Sequence, residues 1–280
     1  MNMSIWKITF ILLIISSGIL YFIFSSALIN LYIFHPDKQG EIAKSSFPKF
    51  VQELRLNTND GEQLQVFHFS QERRKSRSLI IYFHGNAGNA YHRFDPAQKL
   101  FEMGTDVLLV SYRGYGNSSG KPTEKGIYID GKAVIDYAIE VLGYAEQEII
   151  LFGRSLGTSV VVELAQDRKF GGIILVAPFT SGKAMAKVVG LGAFSFAIGD
   201  SFNSIEKIKK LRSDILIIHG KKDGIIPYRM GQELYNRYPG DKQMITIPGG
   251  GHNNLEIINP EMYWDGIKKY LLKNAKYGAE

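Results

Sequence analysis

The chain contains no cysteine among its 280 residues. This absence excludes disulfides, cysteine-ligated zinc, a thiol nucleophile and lipoprotein acylation at cysteine. It does not decide the cellular compartment, because a chain without thiols is indifferent to redox conditions. The sequence also lacks an H-E-x-x-H motif or another histidine–carboxylate cluster with metal-ligand spacing. We therefore expect neither a metal ion nor a cofactor.

The sequence also lacks a complete nucleotide-binding motif. The glycine-rich segment after residue 112 reads Gly114-x-Gly116-x-x-Ser119, so the third glycine of the dinucleotide fingerprint is missing. Pro122 follows Gly120-Lys121, where a P-loop needs serine or threonine. We expect no nucleotide partner.

Basic residues are in modest excess and scattered. The net charge is +6 and the isoelectric point is about 9.2. The densest basic group, at residues 73–77, lies between two strand-like runs and is typical of a solvated loop. We expect no nucleic-acid partner, and contact with anionic lipid head groups is the second interpretation.

One long run, residues 8–34, contains no charge. A bilayer core requires about 20 apolar residues in a helix, so this run predicts a single transmembrane anchor. A cleaved signal peptide is the alternative, because Ser25-Ser26-Ala27 offers a cleavage site. The predicted location is a membrane with one crossing, after an N-terminal tail at 1–7 and before a linker at 35–50. The basic residues slightly favour a cytoplasmic C-terminal domain, but the side stays open.

The remaining chain predicts an α/β fold. Residues 51–57 and 63–69 alternate apolar and polar side chains around Asn59-Asp60-Gly61, which predicts an edge hairpin. Continuous apolar runs separated by helix-length segments predict a mostly parallel central sheet with helices on both faces. These runs lie at 78–84, 107–112, 149–152, 173–177 and 215–219, and an alternating run at 243–247 precedes a predicted helix at 260–273.

The stretch Gly153-Arg154-Ser155-Leu156-Gly157 follows an apolar run and precedes a helical pattern. Strand, tight turn and helix are the context of a nucleophile elbow, so Ser155 is the predicted nucleophile. Asp223 and His252 follow two later predicted strands, and an aspartate and a histidine at these places supply the acid and the base. The predicted oxyanion donors are the backbone N–H groups of Asn86 and Leu156. His84 and His219, which precede glycines at strand ends, are interpreted as structural.

The segments HGNAGN, SYRGYGNSSGKPTEKG, GRSLG, APF, IIHGKKDGIIP and GGGHNN together resemble the α/β-hydrolase superfamily of serine hydrolases. The similarity is greatest to its membrane-anchored abhydrolase-domain branch, which is often described as serine aminopeptidase-like. The resemblance implies an α/β-hydrolase domain at 51–275, and it implies Ser155, Asp223 and His252 as nucleophile, acid and base. Thr158 and Asp214 depart from the glycine and proline of many relatives.

The apolar and glycine-rich residues 188–198 predict either a small cap, within 180–213, or an ordinary crossover, and a tail follows at 276–280. The predicted function is hydrolysis of an ester or thioester through an acyl-enzyme. Acyl lipids or acylated proteins at the membrane are the expected substrates. A serine peptidase of the same fold and a non-catalytic membrane-tethered binding protein are the alternatives.

Overall fold

The computed structural model describes residues 33–38, 47–70, 78–192 and 198–274, with residues 7, 10, 12, 13, 16 and 195. Most of the predicted membrane segment at 8–34 lies outside these residues, as do the basic loop at 71–77 and the tail at 276–280. No helix found in the described parts of the chain combines the length and apolar character needed to cross a bilayer.

Ten strands belong to the described chain. They are β1 (His35–Pro36), β2 (Val51–Asn57), β3 (Gln63–Phe69), β4 (Leu79–Phe83), β5 (Ala87–Gly88), β6 (Asp106–Val110), β7 (Ile149–Arg154), β8 (Gly172–Val176), β9 (Ile215–Gly220) and β10 (Lys242–Ile247). Eight strands form the main sheet in the order β10-β9-β8-β7-β4-β6-β3-β2, and β1 pairs with β5 in a separate two-stranded bridge.

The main sheet is parallel from β10 to β6, and β3 and β2 join it in antiparallel orientation. The expected α/β fold and the antiparallel hairpin at the sheet edge are therefore confirmed. Because the parallel strands share one direction, the loops that follow them all meet at the carboxyl edge of the sheet.

The described helices are α1 (Phe94–Glu102), α2 (Glu124–Glu140), α3 (Leu156–Leu164), α4 (Gly182–Val188), α5 (Ser204–Lys207), α6 (Tyr228–Arg237), α7 (Leu255–Ile258) and α8 (Pro260–Asn274). Side chains at i and i+2 of a strand point to the same face, so each buried strand serves two cores. In β4, Leu79, Ile81 and Phe83 pack with α2, α3 and α6. Ile80 and Tyr82 pack on the opposite face with α1 and α8.

The predicted cap region contains α4 and α5 in its described part. Helix α4 begins after Ser181, whose side chain caps the Ala184 amide at 3.1 Å. Phe202 is buried between Phe179 and Phe34, with ring centroids 6.2 and 6.3 Å away. Phe202 therefore joins the cap region to the loop after β8, through Phe179, and to the end of the apolar N-terminal run, through Phe34.

Candidate active site

The turn between β7 and α3 holds Ser155 in a conformation that L-residues rarely adopt, with φ of 53° and ψ of −116°. Its amide donates to the Val176 carbonyl at 2.8 Å, which fixes the turn to β8. Glycine is required at the two flanking positions, 153 and 157, because a side chain at either one would clash with neighbouring backbone atoms. A Cβ atom at Gly157 would lie 2.0 Å from the Phe83 carbonyl oxygen, and one at Gly153 would lie 2.5 Å from the Gly157 carbonyl oxygen.

Thr158 lies three residues after the serine, and its hydroxyl donates to the Ser155 carbonyl at 2.6 Å. The hydroxyl is buried and needs such a partner. The threonine therefore adds a second hydrogen bond to the strained turn rather than disturbing it.

The structure brings the three predicted catalytic side chains together at the carboxyl edge. The Nε2 atom of His252 lies 3.1 Å from the Ser155 hydroxyl oxygen, and Nδ1 lies 2.8 Å from an Asp223 carboxylate oxygen. A carboxylate can only accept a hydrogen bond, so the Nδ1 proton faces Asp223. Nε2 is then left to accept the serine proton, which is the arrangement that activates a serine hydroxyl.

Asp223 is held in place by its own loop and by His219. Its Oδ1 accepts the amides of Ile225 and Ile226 at 2.9 and 2.8 Å, and its Oδ2 lies 3.3 Å from His219 Nε2. Burial disfavours the charged carboxylate, but hydrogen bonds from His219 and His252 outweigh it and hold its pKa below the usual range. Asp223 is therefore ionised at neutral pH and can orient His252.

The predicted oxyanion donors are the residues next to Gly85 and Ser155 in the chain. A Cβ atom at Gly85 would lie 3.4 Å from the Ser155 Cβ and 3.9 Å from its hydroxyl oxygen, so the loop that carries Asn86 passes close to the serine. Leu156 is the first residue of α3, and the first four amides of a helix have no partner within it. The positions suit two backbone donors, and their role in oxyanion binding stays a prediction.

The two histidines interpreted as structural lie beneath this site. His84 is fully buried, and Nδ1 donates to the Gly85 carbonyl at 2.7 Å. Burial lowers the pKa of His84 to about 3, so the ring stays neutral. His219 donates through Nε2 to the Ile226 carbonyl at 3.0 Å and so closes the loop that carries Asp223.

The glycine-rich segment after β6 supports the loop after β4, which carries His84 and Asn86. Tyr112 donates its hydroxyl proton to the His84 carbonyl at 3.0 Å, and Tyr115 donates to the Asn86 carbonyl at 2.7 Å. Arg113 is buried and forms ion pairs with Asp60 and Asp130 at 2.8 and 2.7 Å. The segment acts here as a scaffold for the residues beside Ser155.

Sequence reasoning missed Arg154, the residue before the nucleophile. Its buried guanidinium contacts Glu256 at 3.0 Å and donates to the His252 carbonyl at 3.3 Å. The arginine thus ties the serine turn to the loop and helix that carry the histidine. A charged residue inside an otherwise apolar elbow was the signal, since a buried arginine needs an acidic partner.

Sequence reasoning also missed the part played by residues 33–38, most of which fall in the predicted linker. We call this segment the strap. His35 donates its amide to the Asn86 carbonyl at 3.1 Å, and the Asn86 side-chain amide donates to the Ile33 carbonyl at 3.1 Å. Asp37 donates its amide to the Gly88 carbonyl at 3.1 Å. The strap is therefore bound to the loop beside the serine instead of crossing open solvent.

Three sequence similarities bear on the family to which the chain belongs. A family model described as Serine aminopeptidase, S33, matches residues 74–205. The uncharacterized protein Rv2307c of Mycobacterium tuberculosis is 30% identical over 275 residues, which cover 96% of this chain and 95% of that protein. The alpha/beta hydrolase domain-containing protein 17C of Xenopus tropicalis is 33% identical over 200 residues, which cover 70% of this chain and 62% of that protein.

Among solved structures, the esterase Pf2001 of Pyrococcus furiosus has a TM-score of 0.69 at 18% identity, covering 86% of this chain and 97% of that one. At this identity the likeness shows the shared fold. The sequence similarities carry the family assignment: the chain belongs to the α/β-hydrolase family and is a hydrolase.

Proposed function

We propose that this protein is a serine hydrolase that cleaves an ester or thioester through an acyl-enzyme on Ser155. The observation that carries the proposal is the chain of hydrogen bonds from Asp223 through His252 to the Ser155 hydroxyl. A histidine imidazole at this place can accept the serine proton and return it to the leaving group.

In the acylation step, the Ser155 oxygen attacks the acyl carbonyl carbon while Nε2 of His252 takes the hydroxyl proton. The carbonyl π electrons move to oxygen, and the N–H groups of Asn86 and Leu156 hold the oxyanion. When the tetrahedral species collapses, the bond to the alcohol or thiol breaks, and the leaving group takes its proton from His252. Each oxyanion donor contributes about 10²- to 10³-fold to kcat in comparable enzymes.

In the deacylation step, His252 accepts a proton from water as the water oxygen attacks the acyl-enzyme carbonyl. Collapse of the second tetrahedral species returns that proton to the Ser155 oxygen and releases the carboxylic acid. Asp223 stays ionised through both steps and stabilises the imidazolium, which forms twice in each cycle.

The proposed substrates are acyl lipids or acylated proteins at a membrane surface. Support comes from the uncharged run at 8–34, which we propose as a single-pass anchor. The name of the matching family model points instead to a peptidase. In this site Glu256 already pairs with Arg154 and Asp223 with His252, so a peptide's ammonium group would have to compete with these partners for either carboxylate.

The test is fluorophosphonate labelling of the full-length protein in detergent, with Ser155→Ala beside the wild type. Ser159→Ala is a matched control, because Ser159 lies in the same helix and its buried hydroxyl donates to the Leu156 carbonyl. We expect labelling of the wild type and the control, and none of Ser155→Ala. Folded wild type without labelling would favour the non-catalytic binding protein.

A substrate panel then separates the hydrolase classes. It contains short- and long-chain acyl esters, an S-acylated peptide and an aminoacyl anilide. We expect preference for acyl esters or thioesters and dependence on acyl length. Indifference to acyl length, or faster cleavage of the peptide amide, would contradict the membrane acyl substrate and leave the serine chemistry in place.

A further inference from the structure

Several large apolar side chains are exposed in the two loops that carry Asp223 and His252. Ile225 follows Asp223 by two residues and is 51% exposed. Ile257 and Ile258, in the helix after His252, are 73% and 48% exposed, and Met262 begins the next helix at 41%. Scattered apolar residues are normal on a surface, whereas a group in adjoining turns marks an interaction site.

Backbone contacts join the two loops into one surface. Lys222 donates its amide to the Gly250 carbonyl at 2.9 Å, and Lys221 donates its amide to the Ile247 carbonyl at 3.0 Å. Both loops follow parallel strands, so they lie at the carboxyl edge together with Ser155. The apolar group therefore lies at the edge of the sheet that carries Ser155.

Basic side chains accompany the apolar ones. Lys221, Lys222 and Arg229 are exposed in the same loop and the helix that follows it, and an exposed acid, Glu261, adjoins Met262. Apolar side chains beside lysine and arginine form the combination that binds an acidic membrane interface, where the apolar groups enter and the cations meet the head groups.

The strap leads the uncharged N-terminal run to this same edge. The run ends at Phe34, which is buried against Phe202 in the cap region. The next residue, His35, is bound to Asn86 beside the serine. A membrane that holds the part of the run before the strap therefore meets the hydrolase domain at the carboxyl edge of the sheet.

We propose that this surface docks on an acidic lipid membrane and turns the carboxyl edge of the sheet, which carries Ser155, toward the bilayer. We call it the docking rim: Lys221, Lys222, Ile225, Ile257, Ile258 and Met262. The inference extends the proposed function, on which it rests for the membrane anchor, by naming the surface through which acyl substrate enters. An acyl chain can then pass from the lipid to Ser155 without crossing water.

The test uses the full chain, whose lack of cysteine allows one introduced thiol to carry an environment-sensitive fluorophore. Ile257→Cys places the label on the docking rim. Val141→Cys is the matched control, because Val141 is 65% exposed and follows α2 at the opposite edge, near the start of β6. That position is shown by Tyr144, whose hydroxyl donates to Asp106 at 2.6 Å.

Both labelled proteins are reconstituted into phosphatidylcholine vesicles with and without phosphatidylserine, and brominated lipids are added as quenchers. We expect the label at 257 to emit at shorter wavelength and to be quenched in acidic vesicles, and the label at 141 to show neither effect. One lysine near an acidic surface raises the membrane-binding constant about fivefold. The double variant Lys221→Gln/Lys222→Gln should therefore lower the ratio of docked to undocked protein about 25-fold.

Equal responses at 257 and 141, or an unquenched label at 257 in acidic vesicles, would overturn the docking rim. A blue shift that grows with protein concentration without bromine quenching would assign the surface to a second copy of the chain and would also overturn it. Fluorophosphonate labelling of the same samples separates the two proposals. Quenching without serine labelling would remove only the hydrolase chemistry, and serine labelling without quenching would remove only the docking.

Discussion

Replacing Arg154 with methionine tests whether the residue before Ser155 positions the proposed catalytic histidine, His252. The change removes the guanidinium that contacts Glu256 at 3.0 Å and the His252 carbonyl at 3.3 Å. Methionine keeps much of the side-chain length and remains compatible with the buried surroundings. Glu256 is left without its partner, and the loop of His252 loses its tie to the serine turn.

The expected loss of stability follows from the burial of the pair. Removing one member of a buried ion pair costs about 3–5 kcal/mol. Because the Glu256 side chain is 23% exposed, we expect the lower end of this range, with a free energy of unfolding reduced by about 3 kcal/mol. Adding Glu256→Gln removes the uncompensated charge and should restore more than half of that loss.

The effect on catalysis should persist in the double variant, because glutamine at position 256 does not restore the contact with the His252 carbonyl. Misplacement of a catalytic group by about 1 Å can cost about 10²-fold in rate. We expect kcat to fall about 10- to 100-fold in both variants, with KM changed less than about threefold.

The assays are urea unfolding followed by circular dichroism and steady-state hydrolysis of the best ester from the panel. Arg168→Met is the matched control, because Arg168 pairs with Glu146 at 2.6 Å but both side chains are about a third exposed. The control should lose less than about 1 kcal/mol and keep its kcat. Wild-type kcat in Arg154→Met, or restored kcat in the double variant, would refute the positioning role.

Two further predictions concern the serine turn and the acid. Gly157→Ala should prevent correct folding or lower Tm strongly, because its Cβ would lie 2.0 Å from the Phe83 carbonyl oxygen. Gly224→Ala is the control and should be tolerated, because a Cβ atom there has no neighbour within 4 Å. Equal melting temperatures for the two variants would contradict this prediction. Asp223 has a lowered pKa in the folded state, so its ionised form adds stability above the unfolded pKa of about 3.9 that is lost at lower pH. The stability difference between wild type and Asp223→Asn should therefore shrink in urea titrations below about pH 4, and a constant difference would contradict the assignment.

The sequence predicted the sheet because most of its strands are buried on both faces and therefore appear as uninterrupted apolar runs. β4, β8 and β9 begin within a residue of the predicted starts. The edge hairpin could be predicted from its alternating pattern around a turn. The order Ser155, Asp223, His252 also predicted three side chains at one edge, since each follows a strand of a parallel sheet.

The ties between distant segments could not be predicted. Arg154 and Glu256 are 102 residues apart, and nothing in either local pattern identifies the other. The strap forms a two-residue bridge with β5, which is too short to produce a periodic signal. Its polar residues are typical of a linker, and only the tertiary fold supplies the carbonyl and amide partners that hold it.

The strap has a consequence for how far the enzyme can reach. An enzyme on a flexible tether searches a volume whose radius grows with the number of free residues. Here the chain passes from Phe34, at the end of the apolar run, to His35, bound beside the serine, without a free residue between them. With the proposed anchor in a bilayer, the catalytic serine would search a plane and meet its substrates by lateral diffusion.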